Sequence, residues 1–169
     1  TSPLHAILAA MLVAVSGAWA LALNKILMIA AVALAAWLLV RGHPGGARTR
    51  ALALVMLVAS PFVWMWAVGG LETMLVVCLL TMFALLHTHS DEPQAASAMA
   101  TLAGVLFLAR YDTVFFVLPV LAGLWWRQWH REGTLAVVKG MALAAALPLG
   151  WLLFSASYFH DVFPTSFHA

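Results

Sequence analysis

Leu135-Ala136-Val137-Val138-Lys139-Gly140-Met141-Ala142-Leu143-Ala144-Ala145-Ala146-Leu147-Pro148-Leu149-Gly150-Trp151-Leu152-Leu153-Phe154 carries one charge, Lys139, near its start. A helix of about 20 apolar residues crosses the hydrocarbon core of a bilayer. Ala, Leu and Met are good helix formers, and the run lacks the two-residue alternation of a strand. Further apolar runs at approximately 4–23, 26–40, 51–68, 71–88, 95–109 and 113–126 repeat the pattern. Hydrophobic residues make up 65% of the 169 and charged residues 8%, where a water-soluble domain has about 25% charged. There are too few charges to coat a soluble surface, so lipid is the solvent the composition fits. The expectation is an all-α, polytopic transmembrane helix bundle with about six to seven membrane helices, forming one domain over 1–169.

The breaks between runs fit that reading. Arg41-Gly42-His43-Pro44-Gly45-Gly46, Gly69-Gly70, Ser90-Asp91-Glu92-Pro93 and Arg127 to Gly133 are turn-forming or charged. Pro61, Pro119 and Pro148 lie inside apolar runs and predict kinks. Ala142, Ala146 and Gly150, like Ala100 and Gly104, form small-residue ridges that let helices approach closely.

Loop charge gives an orientation. Arg41, Arg48, Arg50, Arg127, Arg131 and Lys139 fall on one set of alternate loops, and Lys25 and Arg110 on the other. The positive-inside rule places the 41–50, 87–94 and 127–134 loops in the cytoplasm. Trp125, Trp126 and Trp129 then form an aromatic belt at that interface. Run 4–23 either spans or lies on the outer face; the count of crossings allows both.

Several function classes are excluded or weakened. The net charge of +2 is small, and no basic patch interleaves with aromatics, so nucleic acid is not an expected partner. One cysteine, Cys78, gives no disulfide framework. His87, His89 and Asp91 lack a further ligand at useful spacing and read as a solvated loop, so no metal site is expected there. No phosphate-binding glycine loop or serine nucleophile elbow is present.

Most of the remaining polar residues fall on the non-cytoplasmic side: Glu72, Arg110, Tyr111, Asp112, Tyr158, His160, Asp161, Thr165 and Ser166. Ionisable groups at a membrane are costly and mark substrate paths. Each also has a structural reading. Glu72 suits the positive end of a helix dipole, Arg110 a snorkelling end and Asp112 an N-terminal cap. Two residues apart, Arg110 and Asp112 would not face each other on one helix, although they could clamp one ligand across a turn.

These residues lie in strings with a family resemblance. Gly69-Gly70-Leu71-Glu72-Thr73 resembles the "GGLET" element of certain bacterial polytopic glycosyltransferases. Ala109-Arg110-Tyr111-Asp112 resembles their "R-P-D" or "R-Y-D" element. Tyr158 to Ala169 is similar to "Y-Y-G-x-x-x-P-N-T-x-x-A-K", with His160 in place of the Gly and Ser166 following Thr165. Thr1-Ser2-Pro3-Leu4 is similar to the segment after the family's first external loop. The family is the GT-C type, near the mycobacterial terminal arabinofuranosyltransferases. The resemblance implies an integral membrane enzyme of the bacterial inner membrane that moves a sugar from a polyprenyl-phosphate donor to a cell-envelope glycan or lipid. It further implies that this chain is a fragment, inactive alone. The first helix, the external loop bearing the main catalytic acid and any C-terminal soluble domain would lie outside it.

Glycosyl transfer needs an activated acceptor hydroxyl and a stabilised leaving phosphate. Arg110 suits the phosphate because guanidinium is always charged and binds bidentately. Glu72 and Asp112 suit acceptor hydroxyls or the orientation of Arg110, and Tyr158, His160 and Asp161 would line the same cavity. No cofactor is required by these residues; a divalent metal in a full-length enzyme stays open. The alternatives are a transporter or flippase-like carrier, against which stands the lack of an inverted repeat, and a non-catalytic membrane subunit.

Overall fold

The computed structural model describes residues 2–42, 45–69 and 72–159, with the side chain of 159 excepted. All regular structure among them is helical: α1 (Pro3–Ser16), α2 (Ala20–Gly42), α3 (Ala47–Ala59), α4 (Pro61–Gly69), α5 (Thr73–His87), α6 (Pro93–Ala109), α7 (Val114–Glu132) and α8 (Thr134–Phe159), with short 3-10 turns at Gly17–Trp19 and Tyr111–Thr113. Two stretches, Pro3–Gly42 and Thr134–Tyr158, are long and apolar enough to cross a membrane, and a third if α3 and α4 count as one broken span. At 15 and 17 residues, α5 and α6 reach only about 22–26 Å at 1.5 Å per residue, short of the ~30 Å hydrocarbon core. The chain forms two compact units, His5–Thr88 and Thr1–Leu4 with His89–Ala169.

In the unit His5–Thr88, the first interruption is not at Asn24-Lys25, where the apolar runs divide. It falls at Gly17, which takes a positive φ of 53°. Glycine adopts that conformation without the Cβ penalty, whereas Ala and Leu on both sides of Asn24 carry α2 straight through it. The buried residues of α2 are Asn24, Met28, Ala31, Val32 and Ala35, one stripe at helical spacing. Met28 and Val32 pack with Met74 and Ala67, and Ala31 and Ala35 pack with Cys78. Farther along, Gly42 lies against Leu85. Residue numbers rise together along this contact, so α2 and α5 run parallel.

Run 51–68 is bent by 54° between α3 and α4. Ser60 precedes Pro61 and is extended, at φ −70° and ψ 114°, as the proline ring requires of its neighbour. Trp64 Nε1 donates to the Val58 carbonyl at 2.6 Å, replacing part of the bonding lost at the break. The other two prolines behave differently: Pro119 and Pro148 sit inside uninterrupted α7 and α8.

The C-terminal unit is built on α6, whose buried face is largely small: Ala95, Ala96, Met99, Ala100, Ala103, Gly104, Leu106, Leu108 and Ala109. α8 closes onto it, with the Ala144 carbonyl oxygen 2.9 Å and Pro148 Cδ 3.2 Å from where a Gly104 Cβ would stand. The ridge expected on α8 is therefore displaced. Ala142, Ala146 and Gly150 are exposed, and the contact row is Ala144, Leu147 and Pro148. Ala100 and Gly104 both lie on the buried face of α6, and Gly104 meets α8. α7 packs against both helices and is capped by Gly133, whose φ of 84° suits glycine after a helix.

The loop before α6 is tied to the end of α7. Arg127 donates to Ser90 Oγ at 3.1 Å, and Arg131 pairs with Asp91. Both ionic partners are well exposed, and exposed pairs contribute about 0–1 kcal/mol. Asp91→Asn is accordingly expected to change the unfolding free energy by less than ~1 kcal/mol, measured by denaturant titration in detergent.

Candidate functional site

Arg110 and Asp112 meet directly. α6 ends at Ala109, and Arg110 is extended at φ −158° and ψ 126° before the 3-10 turn begins. Leaving the helix there brings two side chains that a helix would point apart onto one side. Arg110 Nε donates to Asp112 Oδ1 at 3.0 Å and Nη2 to Oδ2 at 2.9 Å. This is the two-pronged geometry that guanidinium makes with carboxylates and phosphates. The side chains keep 41% and 56% exposure, so the fork is open to solvent or to a ligand.

Thr113 sets the turn. It is buried, and its hydroxyl lies 2.7 Å from the Arg110 carbonyl and 2.9 Å from the Leu106 carbonyl, sharing one proton between them. Both carbonyls also accept backbone bonds, from Thr113 N and Arg110 N. Removing the hydroxyl therefore leaves neither acceptor without a donor. Thr113→Val is expected to cost about 1 kcal/mol, the net value of one hydrogen bond, read as a lowered unfolding midpoint with unchanged helix content.

An aromatic row adjoins the fork. Tyr111 packs edge-on to Phe107 at 5.0 Å between centroids. Its hydroxyl is raised above the usual tyrosine range by burial, opposed by a hydrogen bond from Trp151. Along α8, Trp151 meets Phe154 at 5.6 Å, and Phe154 stacks on Tyr158 at 5.5 Å. Positions 151, 154 and 158 share one helical face. Tyr158 is 70% exposed.

No protein-family model, curated protein sequence or solved structure matches this chain.

Of the residues singled out from the sequence, Arg110, Asp112 and Tyr158 thus belong to the C-terminal unit, near Tyr111 and Trp151. Glu72 belongs to the other unit. It is half-buried and stands at the N-cap of α5 without a side-chain capping bond, a position where its charge complements the helix dipole. His160 and Asp161 lie outside the described residues, as do Gly70 and Leu71 of the Gly69–Thr73 string. Among the described residues no three His, Cys, Asp or Glu come together to hold a metal ion. Trp151, Phe154 and Thr113 were not singled out from the sequence. The spacing of the two aromatics before Tyr158 was a usable signal; Thr113 carried none, because its role depends on where α6 ends.

α6, α7 and α8 also enclose an apolar cleft of about 280 Å³, lined among others by Phe107, Val117, Leu121, Trp125, Met141 and Pro148. Trp125 Nε1 is buried against Gly140 without a hydrogen-bond partner.

Proposed function

We propose that this chain is the binding part of an integral membrane glycosyltransferase of the GT-C type, using a polyprenyl-phosphate-linked sugar. The observation that carries the reading is the open Arg110–Asp112 fork beside the Tyr111–Trp151–Phe154–Tyr158 row. A guanidinium held in two-pronged geometry by a carboxylate is pre-set for a second set of oxygens, those of a phosphate. Aromatic faces beside it present the apolar surface that suits the carbon face of a sugar ring or the first isoprene unit of the lipid. Sequence strings around Glu72, Arg110 and Tyr158 support the same reading by their resemblance to that family.

In this reading the protein belongs to the bacterial inner membrane, and about six to seven helices contribute to a GT-C-like bundle, the shorter ones with thinner local bilayer. The 41–50, 87–94 and 127–134 loops face the cytoplasm, and the fork faces the opposite side. Arg110 binds the donor phosphate and stabilises it as it leaves. Asp112 orients Arg110. Glu72 is kept for an acceptor hydroxyl, and Tyr158, His160 and Asp161 for the lining of the Arg110 cavity.

The test is transfer of radiolabelled sugar from polyprenyl phosphate in membranes expressing the complete gene that encodes this chain, wild type against Arg110→Gln. Loss of transfer at equal protein level is expected. Unchanged transfer overturns the phosphate-binding role.

A further inference from the structure

Unit His5–Thr88 has a basic end with no carboxylate of its own; the next acids in the chain, Asp91 and Glu92, follow Thr88 by three and four residues, and Asp91 is already paired with Arg131. It holds four cations, Lys25, Arg41, Arg48 and Arg50, and one carboxylate, Glu72. Three of the cations bracket the α2–α3 turn. Gly42, the last residue of α2, lies against Leu85 near the end of α5, whereas Glu72 caps the start of α5. Thirteen residues of helix separate residues 72 and 85, about 20 Å at 1.5 Å per residue. That is more than twice the screening length of ~8 Å at physiological salt, so Glu72 does not neutralise the turn.

Each arginine there is accounted for. Arg50 Nε donates to the Gly45 carbonyl at 2.9 Å, and Nη1 to the Val40 carbonyl at 3.4 Å. It therefore closes the turn, and its charge meets only backbone oxygens. Arg41 lies over the Trp37 ring at 5.9 Å, and Trp37 is itself exposed one turn back along an apolar helix. That arrangement fits the boundary between headgroups and hydrocarbon. Arg48 is exposed.

Next to this turn, on the same unit, a cleft of about 420 Å³ opens between α2 and α5, lined by Leu39, Val77, Leu80, Thr81, Ala84, Leu85 and Thr88. Its two hydroxyl groups are turned onto their own helix: Thr81 Oγ1 donates to the Val77 carbonyl and Thr88 Oγ1 to the Leu85 carbonyl. Little in the cleft therefore asks for water, and the lining suits hydrocarbon.

The two features share a boundary at Leu85, which lines the cleft and touches Gly42. We infer that this end of the unit binds one anionic phospholipid, with an acyl chain in the α2–α5 cleft and the phosphate at the Arg41 and Arg48 side chains. The occupant follows from complementarity. The turn attracts a phosphate and repels a cation, and the adjoining cleft takes an apolar chain, a pairing that a free anion would not use and a zwitterionic headgroup would use poorly. The inference rests on the membrane reading of the chain and is independent of sugar transfer.

The experiment uses the whole chain in detergent and in vesicles of phosphatidylcholine with phosphatidylglycerol, the latter carrying a photoreactive group on its acyl chain. Native mass spectrometry is expected to find phosphatidylglycerol retained roughly tenfold more strongly than phosphatidylcholine, and photolysis to label residues of 77–88. Arg41→Gln with Arg48→Gln should abolish the preference, because each basic side chain near a surface favours anionic lipid. Ala84→Trp, which fills the cleft and leaves the charge intact, should remove the labelling of 77–88. Equal retention of the two lipids overturns the inference. So does labelling that ignores the cleft variant, or full displacement by excess inorganic phosphate, which would mean that the turn binds phosphate alone. Circular dichroism of both variants separates lost binding from lost folding.

Discussion

Gly104→Leu is expected to separate α6 from α8 and to unfold the C-terminal unit at temperatures where the wild type is intact. A Cβ at Gly104 would stand 2.9 Å from the Ala144 carbonyl oxygen and 3.2 Å from Pro148 Cδ. One obstacle is main chain and the other a closed ring, so neither can rotate aside as a long side chain would. Two terms oppose each other in the smaller variant, Gly104→Ala. Helix propensity favours alanine by about 1 kcal/mol, and overpacking costs about 1–3 kcal/mol. A contact this short against rigid atoms lets the second term win, so the alanine variant should lose about 1–2 kcal/mol. Leucine adds branches with no space to enter, and several kcal/mol is expected. Helices in lipid gain little from hydrophobic burial against each other and depend on such close approach. Thermal unfolding in detergent, followed by circular dichroism, measures both variants. A Gly104→Ala protein that melts higher than wild type would refute the packing.

On the proposed function, Arg110→Gln should reduce sugar transfer by about 100-fold, the scale of removing one donor aimed at developing charge, while barely moving stability. The separation of the two effects is the informative part. The fork is half-exposed, and exposed ion pairs contribute about 0–1 kcal/mol to folding, so its loss cannot unfold the unit. Asp112→Asn keeps a hydrogen-bonding side chain beside Arg110 but removes the charge that holds the fork. A smaller loss of about tenfold is expected for a residue acting through Arg110, with Arg110→Lys falling between because it keeps charge without the planar fork. Rates are compared in membranes at matched expression, with thermal midpoints recorded on the same preparations. Equal transfer by all three variants would leave the pair a surface contact only.

Helix content was legible because lipid admits only helices and closed barrels, and runs of Ala, Leu and Met without two-residue alternation fit the first. The position of Glu72 at the start of a helix was legible for a similar reason, since Gly69-Gly70 marks the break before it. Where helices stop inside apolar sequence was harder to read. Asn24-Lys25 is polar but has ordinary helical geometry available, and Gly17, hidden among alanines, is the residue with the conformational freedom to interrupt. Helical spacing alone would set Arg110 and Asp112 apart; a role for Asp112 in orienting Arg110 could be suggested from the sequence, but the contact itself depends on α6 ending at Ala109. The facing row on α8 was missed because Ala142, Ala146, Gly150 and Ala144, Pro148 are both plausible small or flat faces. Only the partner helix chooses between them.

The shared direction of α2 and α5 has a consequence for the bent pair between them. A hairpin that dips into the bilayer and withdraws leaves its two ends on the leaflet where it began. Had α3 and α4 formed one, α5 would start beside the end of α2 and could only run back past it. Instead the last turns of α2 and α5 are neighbours, at Gly42 and Leu85. The bent pair, with its 54° elbow, therefore carries the chain back along α2 from Gly42 to the level of Met28, where Met74 packs.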